Sequence, residues 1–127
     1  MTTLDRAVRR IARQLEPYEG LLTAVLGLED RAGEPGRRRV AVIASDHRVF
    51  VTQVRGGPVT VVPLTELTSI TAAPDVRGAR LRLETPRGDE VVRCIDDGRR
   101  LDLLVSLVSE RRGVERRTHQ PRVRLIS

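Results

Sequence analysis

Ser45, Asp46 and His47 stand next to one another in the stretch Ile43-Ala44-Ser45-Asp46-His47-Arg48-Val49-Phe50. They are the three residue types of a hydrolytic triad. Such a triad needs the imidazole between its partners, one ring nitrogen on the carboxylate and the other on the hydroxyl. Consecutive residues do not supply that arrangement. In a strand, neighbours point to opposite faces, and in a two-residue turn they splay outward. No Gly-x-Ser-x-Gly elbow surrounds the serine. Asp46 and His47 lie between two β-rich apolar runs, where aspartate is a favoured turn residue. The stretch is expected to be a hairpin turn.

The other candidates for chemistry are equally bare of companions. His47 and His119 lack metal-ligand spacing, and the single cysteine, Cys94, excludes an internal disulfide and a CxxC site. Cys94 is expected to be a small core filler in a strand. Arg87-Gly88-Asp89 reads as a hairpin turn, and no glycine-rich phosphate loop or paired-carboxylate site is present. The sequence points to a chain that is not an enzyme and carries neither metal nor cofactor.

Charge offers more. All 23 basic side chains are arginine, and the formal net charge is +6. Residues 111–127 hold Arg111, Arg112, Arg116, Arg117, Arg122 and Arg124 against Glu115 alone, a net +5. The preceding 110 residues carry 17 arginines against 16 acids, a net +1. The basic tail has three functional readings beside that of a plain solvated terminus. It could associate with an anionic membrane surface, hold the phosphates of a nucleic acid, or add Arg122–Ile126 as a strand to a sheet edge. A second basic group, Arg31 with Arg37, Arg38 and Arg39, suits an anionic ligand because guanidinium forks match phosphate oxygens. Glu29, Asp30 and Glu34 share that stretch and offset its field. Aromatic residues make up 2% of the chain, which leaves no stacking platform for single-stranded nucleic acid.

The elements that would carry these residues follow from periodicity. Leu4, Val8, Ile11 and Leu15 form one apolar stripe, predicting an amphipathic helix over residues 1–16, capped by Thr3 and ended by Pro17 and Gly20. Strands are expected over Leu21–Leu28, Val40–Ala44, Val49–Val54, Val59–Val62, Leu67–Ala72, Arg80–Thr85 and Val91–Ile95, with a loop over Glu29–Gly36. Leu101, Leu104, Val105 and Val108 then recur at helical steps, with Asp97 as cap and Gly113 as stop. Strands in succession followed by a helix give an α+β domain with an antiparallel barrel or sandwich, the helix closing one end. The expected division is a helix at 1–16, a barrel with its helix at 17–112, and a basic tail at 113–127. The helical stripe must be buried on the barrel or against a second subunit, and the latter fits a homo-oligomer.

Three segments carry a resemblance. Glu16-Pro17-Tyr18-Glu19, then Ser45-Asp46-His47-Arg48-Val49-Phe50-Val51, then Pro63-Leu64-Thr65-Glu66-Leu67-Thr68-Ser69-Ile70 follow one another as in bacterial pleckstrin-homology-like domains, including the group named after YokE. The chain departs from that pattern at Tyr18, Ser45 and His47. The resemblance implies a seven-stranded antiparallel bent barrel capped by a C-terminal helix, here with an extra N-terminal helix. It also implies a binding habit, toward lipid headgroups or proteins. A protein partner is the first expectation, and an anionic membrane or nucleic acid bound through the tail is the alternative. No apolar run approaches the ~20 residues of a membrane span, and the first residues lack a secretory pattern. The expected location is therefore the cytoplasm, with the inner membrane surface as a peripheral site.

Overall fold

The computed structural model describes residues 2–30 and 37–119, with the side chains of Arg37 and of residues 114–119 left aside. Helix α1 (Thr3–Ala12) is followed by strands β1 (Leu21–Asp30), β2 (Arg37–Ser45), β3 (Arg48–Gln53), β4 (Val59–Pro63), β5 (Ser69–Pro74), β6 (Ala79–Thr85) and β7 (Gly88–Ile95), then helix α2 (Gly98–His119). The strands form one antiparallel sheet in the order β4-β3-β2-β1-β7-β6-β5. It bends on itself without closing, and among the described residues β4 and β5 are its edges.

The bend occurs where β1 meets β7. Among the described residues the two strands share a single ladder pair, Leu28 with Arg93. A Cβ on Gly27 would lie 2.5 Å from Val92 Cγ1 and 2.9 Å from the Arg93 carbonyl oxygen, so only glycine permits this approach. Beside it, β7 bulges, and Cys94 takes φ 54°. The bulge is held by Asp75, whose carboxylate accepts from Cys94 N at 3.1 Å, Val76 N at 2.8 Å and the Arg93 guanidinium at 3.0 and 3.3 Å. Cys94 is thus half-buried on a bulge and not the core filler the sequence suggests. A small residue in an apolar strand reads as core because nothing local marks the bulge.

Two apolar clusters lie on either side of the first four strands. Inside, Val25, Val40, Val42, Val49, Leu81, Leu83 and Val92 pack with Leu101, Leu104 and Val108 of α2. Outside, Ala24, Ala41, Ile43 and Phe50 are covered by Ala7 and Ile11 of α1, with Leu4, Val8 and Leu15 at the margin. This double burial accounts for the unbroken apolar run Val40–Ala44, because both faces of β2 are dry. Full burial of side chains such as Ile11, Ile43 and Phe50 contributes roughly 1.5–3 kcal/mol each. The stripe of α1 is therefore satisfied within the chain, on its own barrel, rather than by a second subunit.

Several boundaries differ from the sequence reading. The cap of α1 is Thr2, which forms a capping box with Asp5. The helix ends at Ala12, ahead of Pro17. Strand β1 runs two residues further, through Glu29 and Asp30, because the β2 ladder supplies partners for both. Helix α2 passes Gly113 and reaches His119, since a helical glycine costs only about 1 kcal/mol relative to alanine. Asp97 does cap α2, accepting from Arg100 N at 3.0 Å.

Candidate functional site

The two ends of the barrel are built differently, and the residues singled out above divide between them. At the α2 end, Asp46 and His47 form the two-residue connection between β2 and β3. Ser45 Oγ accepts from Arg48 N at 2.9 Å and His47 N at 3.2 Å. It donates its hydrogen to the Glu19 carboxylate. The serine hydrogen is therefore committed to Glu19. The imidazole meets Tyr18 edge-on, 5.1 Å between ring centroids. The Ser-Asp-His stretch is a turn.

Glu19 is the centre of this end. Its side chain is 1% exposed and receives Arg48 Nε at 3.0 Å and Nη2 at 2.5 Å, together with Glu16 N at 3.1 Å. Burial alone would raise its pKa; Arg48, Ser45 and Glu16 outweigh that and hold it down at about 2. Arg48 also lies 4.8 Å over the Phe50 ring and reaches Gln14 O. Asp46 Oδ1 accepts from Gly20 N at 3.0 Å. The segment after α1 is thereby clamped to the β2–β3 turn. Helix α2 locks on from the other side: Arg111 Nε donates to Asp46 O at 3.1 Å and Arg112 Nη1 to Thr68 O at 2.6 Å.

At the opposite end no helix among the described residues closes the barrel, and the surface is recessed. One recess of about 410 Å3 is lined by Glu29, Asp89, Glu90, Val40, Val51 and Thr60, among others. Strand alternation sends Glu29 to the same face as Val25, and Glu90 to the same face as Val92, so both carboxylates point into the mouth. Burial, with Glu29 as neighbour, raises the pKa of Glu90. Beside it, a second recess of about 400 Å3 is lined by Arg38, Arg39, Gln53, Val54 and Arg55. The mouth thus has an acidic wall and a basic wall.

Of the arginines expected to hold an anion, Arg38 and Arg39 do line a common recess. Arg37 lies in β2 with its side chain undescribed, and Arg31 is outside the described residues. Arg55 joins the pair because the β2–β3 ladder, closed by Val54 N to Arg39 O at 3.1 Å, brings it back beside β2. The signal for it was Gly56-Gly57, which turns the chain immediately afterwards with φ of 95° and 122°. Of the tail arginines, Arg111 and Arg112 dock on the barrel. The side chains of Arg116 and Arg117, and all of Arg122 and Arg124, are outside the described residues. Among the described residues no helix is long and apolar enough to cross a membrane.

No family model matches the chain, and no curated protein matches it. Solved structures do. The C-terminal domain of an unknown protein from Leishmania infantum aligns with TM-score 0.61 at 12% identity, over 82% of this chain and 97% of that one. The N-terminal PH domain of human ARAP2 aligns with TM-score 0.58 at 13% identity, over 86% and 90%. The hSac2 domain of the human phosphoinositide phosphatase Sac2 aligns with TM-score 0.54 at 9% identity, over 95% and 88%. At these identities the likeness is one of fold alone: an N-terminal helix, a bent seven-stranded antiparallel sheet and a C-terminal helix over one end match a pleckstrin-homology-like fold.

Proposed function

We propose that this chain is a non-enzymatic binding module that receives a segment of another protein at the open end of its barrel. The observation that carries the reading is the pairing of an arginine-lined recess with a carboxylate-lined recess at the mouth. A polyanion, whether a membrane surface or a nucleic acid, would gain from Arg38, Arg39 and Arg55 but meet Glu29, Asp30, Asp89 and Glu90 beside them. A polypeptide carries both signs and can satisfy both walls, while Val40, Val51 and Val91 accept its apolar atoms. The reading also accords with a hydroxyl spent on a buried carboxylate and with an imidazole in a turn, neither poised for catalysis.

The alternative is attachment to an anionic surface through the tail. Two of its six arginines, Arg111 and Arg112, already make contacts within the fold, which weakens a salt-sensitive association. The test compares the native chain with R39E/R55E and D30R/D89R at the mouth, and with H47A at the plugged end. Affinity capture from the source cells is run beside flotation with anionic vesicles and RNA retention at two salt concentrations. The proposal expects a protein retained by the native chain and by H47A and lost from both mouth variants. Vesicle or RNA binding that disappears with residues 114–127 and with salt would replace it by the tail reading.

A further inference from the structure

Strand β4 reads Val59-Thr60-Val61-Val62-Pro63, with no charged residue, in a chain that is 31% charged. Edge strands are ordinarily guarded by charge, because their outward backbone groups invite a further strand. Which groups of β4 point outward follows from the ladder. Leu64 N donates to His47 O at 2.9 Å, and bonded pairs alternate along an antiparallel ladder, so Thr60 and Val62 bond to β3. Val54 N to Arg39 O at 3.1 Å sets the opposite phase on β3, whose intervening residues bond to β2. The N–H and C=O of Val59 and Val61, and the C=O of Pro63, therefore point away from β3.

The side chains agree. Val61 lies opposite Phe50 on the outer face and is 40% exposed. Alternation puts Val59 and Pro63 on that face with it, Val59 at the margin of the outer cluster. The other edge, β5, is also free of charge, but none of its residues is an exposed large hydrophobic. Helix α2 docks beside the start of β5, where Arg112 Nη1 reaches Thr68 O at 2.6 Å.

We propose that β4 is an isologous interface, pairing antiparallel with β4 of a second copy of this chain about a two-fold axis at Val61. In that register Val61 exchanges both backbone bonds with Val61 of the second copy, and Val59 N–H meets Pro63 C=O. No outward N–H of β4 is left over, since the donor that Pro63 lacks falls opposite the Val59 carbonyl. On the outer face Val61 meets Val61 and Val59 meets Pro63, so the exposed apolar side chains cover one another. Charge favours a copy over a foreign strand. Unlike chains can match opposite charges across an edge, whereas a charge near a two-fold axis meets its like. A chain of net +6 repels its copy, and β4 offers a contact without such charges. Because the strands run antiparallel, the two mouths lie at opposite ends of the joined sheet and stay open. A strand of 5 residues is a small contact, so the dimer forms reversibly.

The interface lies apart from the two recesses and its test needs no other protein, so its failure leaves the binding reading untouched. Sedimentation equilibrium of the full chain from about 5 to about 500 µM covers the dissociation constants of a weak contact. The native chain should pass from one chain mass to two over that range. Val61→Lys places like charges on the axis, and Val61→Pro removes the outward N–H while sparing the bonds to β3. Both should stay monomeric, and Thr71→Lys on β5 should dimerise as the native chain does. Hydrogen exchange gives a readout without substitution: the Val61 amide of the native chain should slow about tenfold or more between the two concentrations. A native chain that stays monomeric overturns the interface, as does a dimer that persists in folded V61K or V61P. A dimer lost only in T71K overturns it in favour of β5. Val61 exchange that does not change with concentration overturns it as well.

Discussion

At the plugged end of the barrel Glu19 is almost wholly removed from water, and Arg48, Ser45 and the Glu16 amide all converge on it. At the mouth Glu29 and Glu90 are partly removed from water and are given mainly each other. Both arrangements put carboxylates beside an apolar interior. One supplies the donors that a buried anion needs and turns the anion into a fastener. The other leaves acceptor capacity unmet and keeps a recess open. What separates a structural end from a binding end in this domain is whether the charge has been matched.

The comparison breaks first if α2 is not the plug. Leu104→Ala should destabilise the domain by about 3 kcal/mol in urea unfolding, because the side chain is fully buried among the barrel residues. A loss below about 1 kcal/mol would mean that the helix merely rests on the barrel. Next, Arg48→Met should cost about 2 kcal/mol by stranding the Glu19 carboxylate. The pH profile sharpens this. Glu19 is held at about 2, below its ordinary value of 4.5, so its contribution is present above about pH 4.5 and is lost as pH falls toward 2. Native protein should lose that increment on acidification and R48M should show much less of it, read as unfolding free energy at pH 7, 4 and 3.

Ser45→Ala should cost about 1.5 kcal/mol, since Glu19 loses a donor and the turn amides lose an acceptor. The smallest effect is expected for His47→Ala, within about 0.5 kcal/mol, as for a surface turn position. A large loss there would move His47 into the clamp.

Much of this was legible in the residues. The α2 stripe, the Asp97 cap and the Asp46-His47 turn are local patterns, each found where its spacing places it, and the turn read at Arg87-Gly88-Asp89 closes one residue earlier, with Gly88 and Asp89 already in β7. What escaped depends on partners distant in sequence. Glu19 is one letter of a recurring motif until Arg48, 29 residues later, closes on it. Cys94 reads as core until Asp75, 19 residues earlier, pins a bulge around it. Glu29 and Asp30 look like the start of an acidic loop. They become strand because β2 pairs with them, and alternation along β1 turns Glu29 into the recess while Asp30 meets Arg93 on the other face. Arg38 and Arg39 were visible as a basic pair, whereas Arg55 and the opposing acidic wall required the folded sheet.

The most direct test of matched against unmatched charge is to measure E19Q and E90Q side by side at pH 7, as urea unfolding free energies. E19Q should lose about 2 kcal/mol, because Arg48 is left facing a neutral amide in a dry site. E90Q should be as stable as the native chain or more so, because it removes a like-charge neighbour of Glu29 and supplies a donor. Equal losses in the two variants, or an E19Q that unfolds like the native protein, would contradict the account.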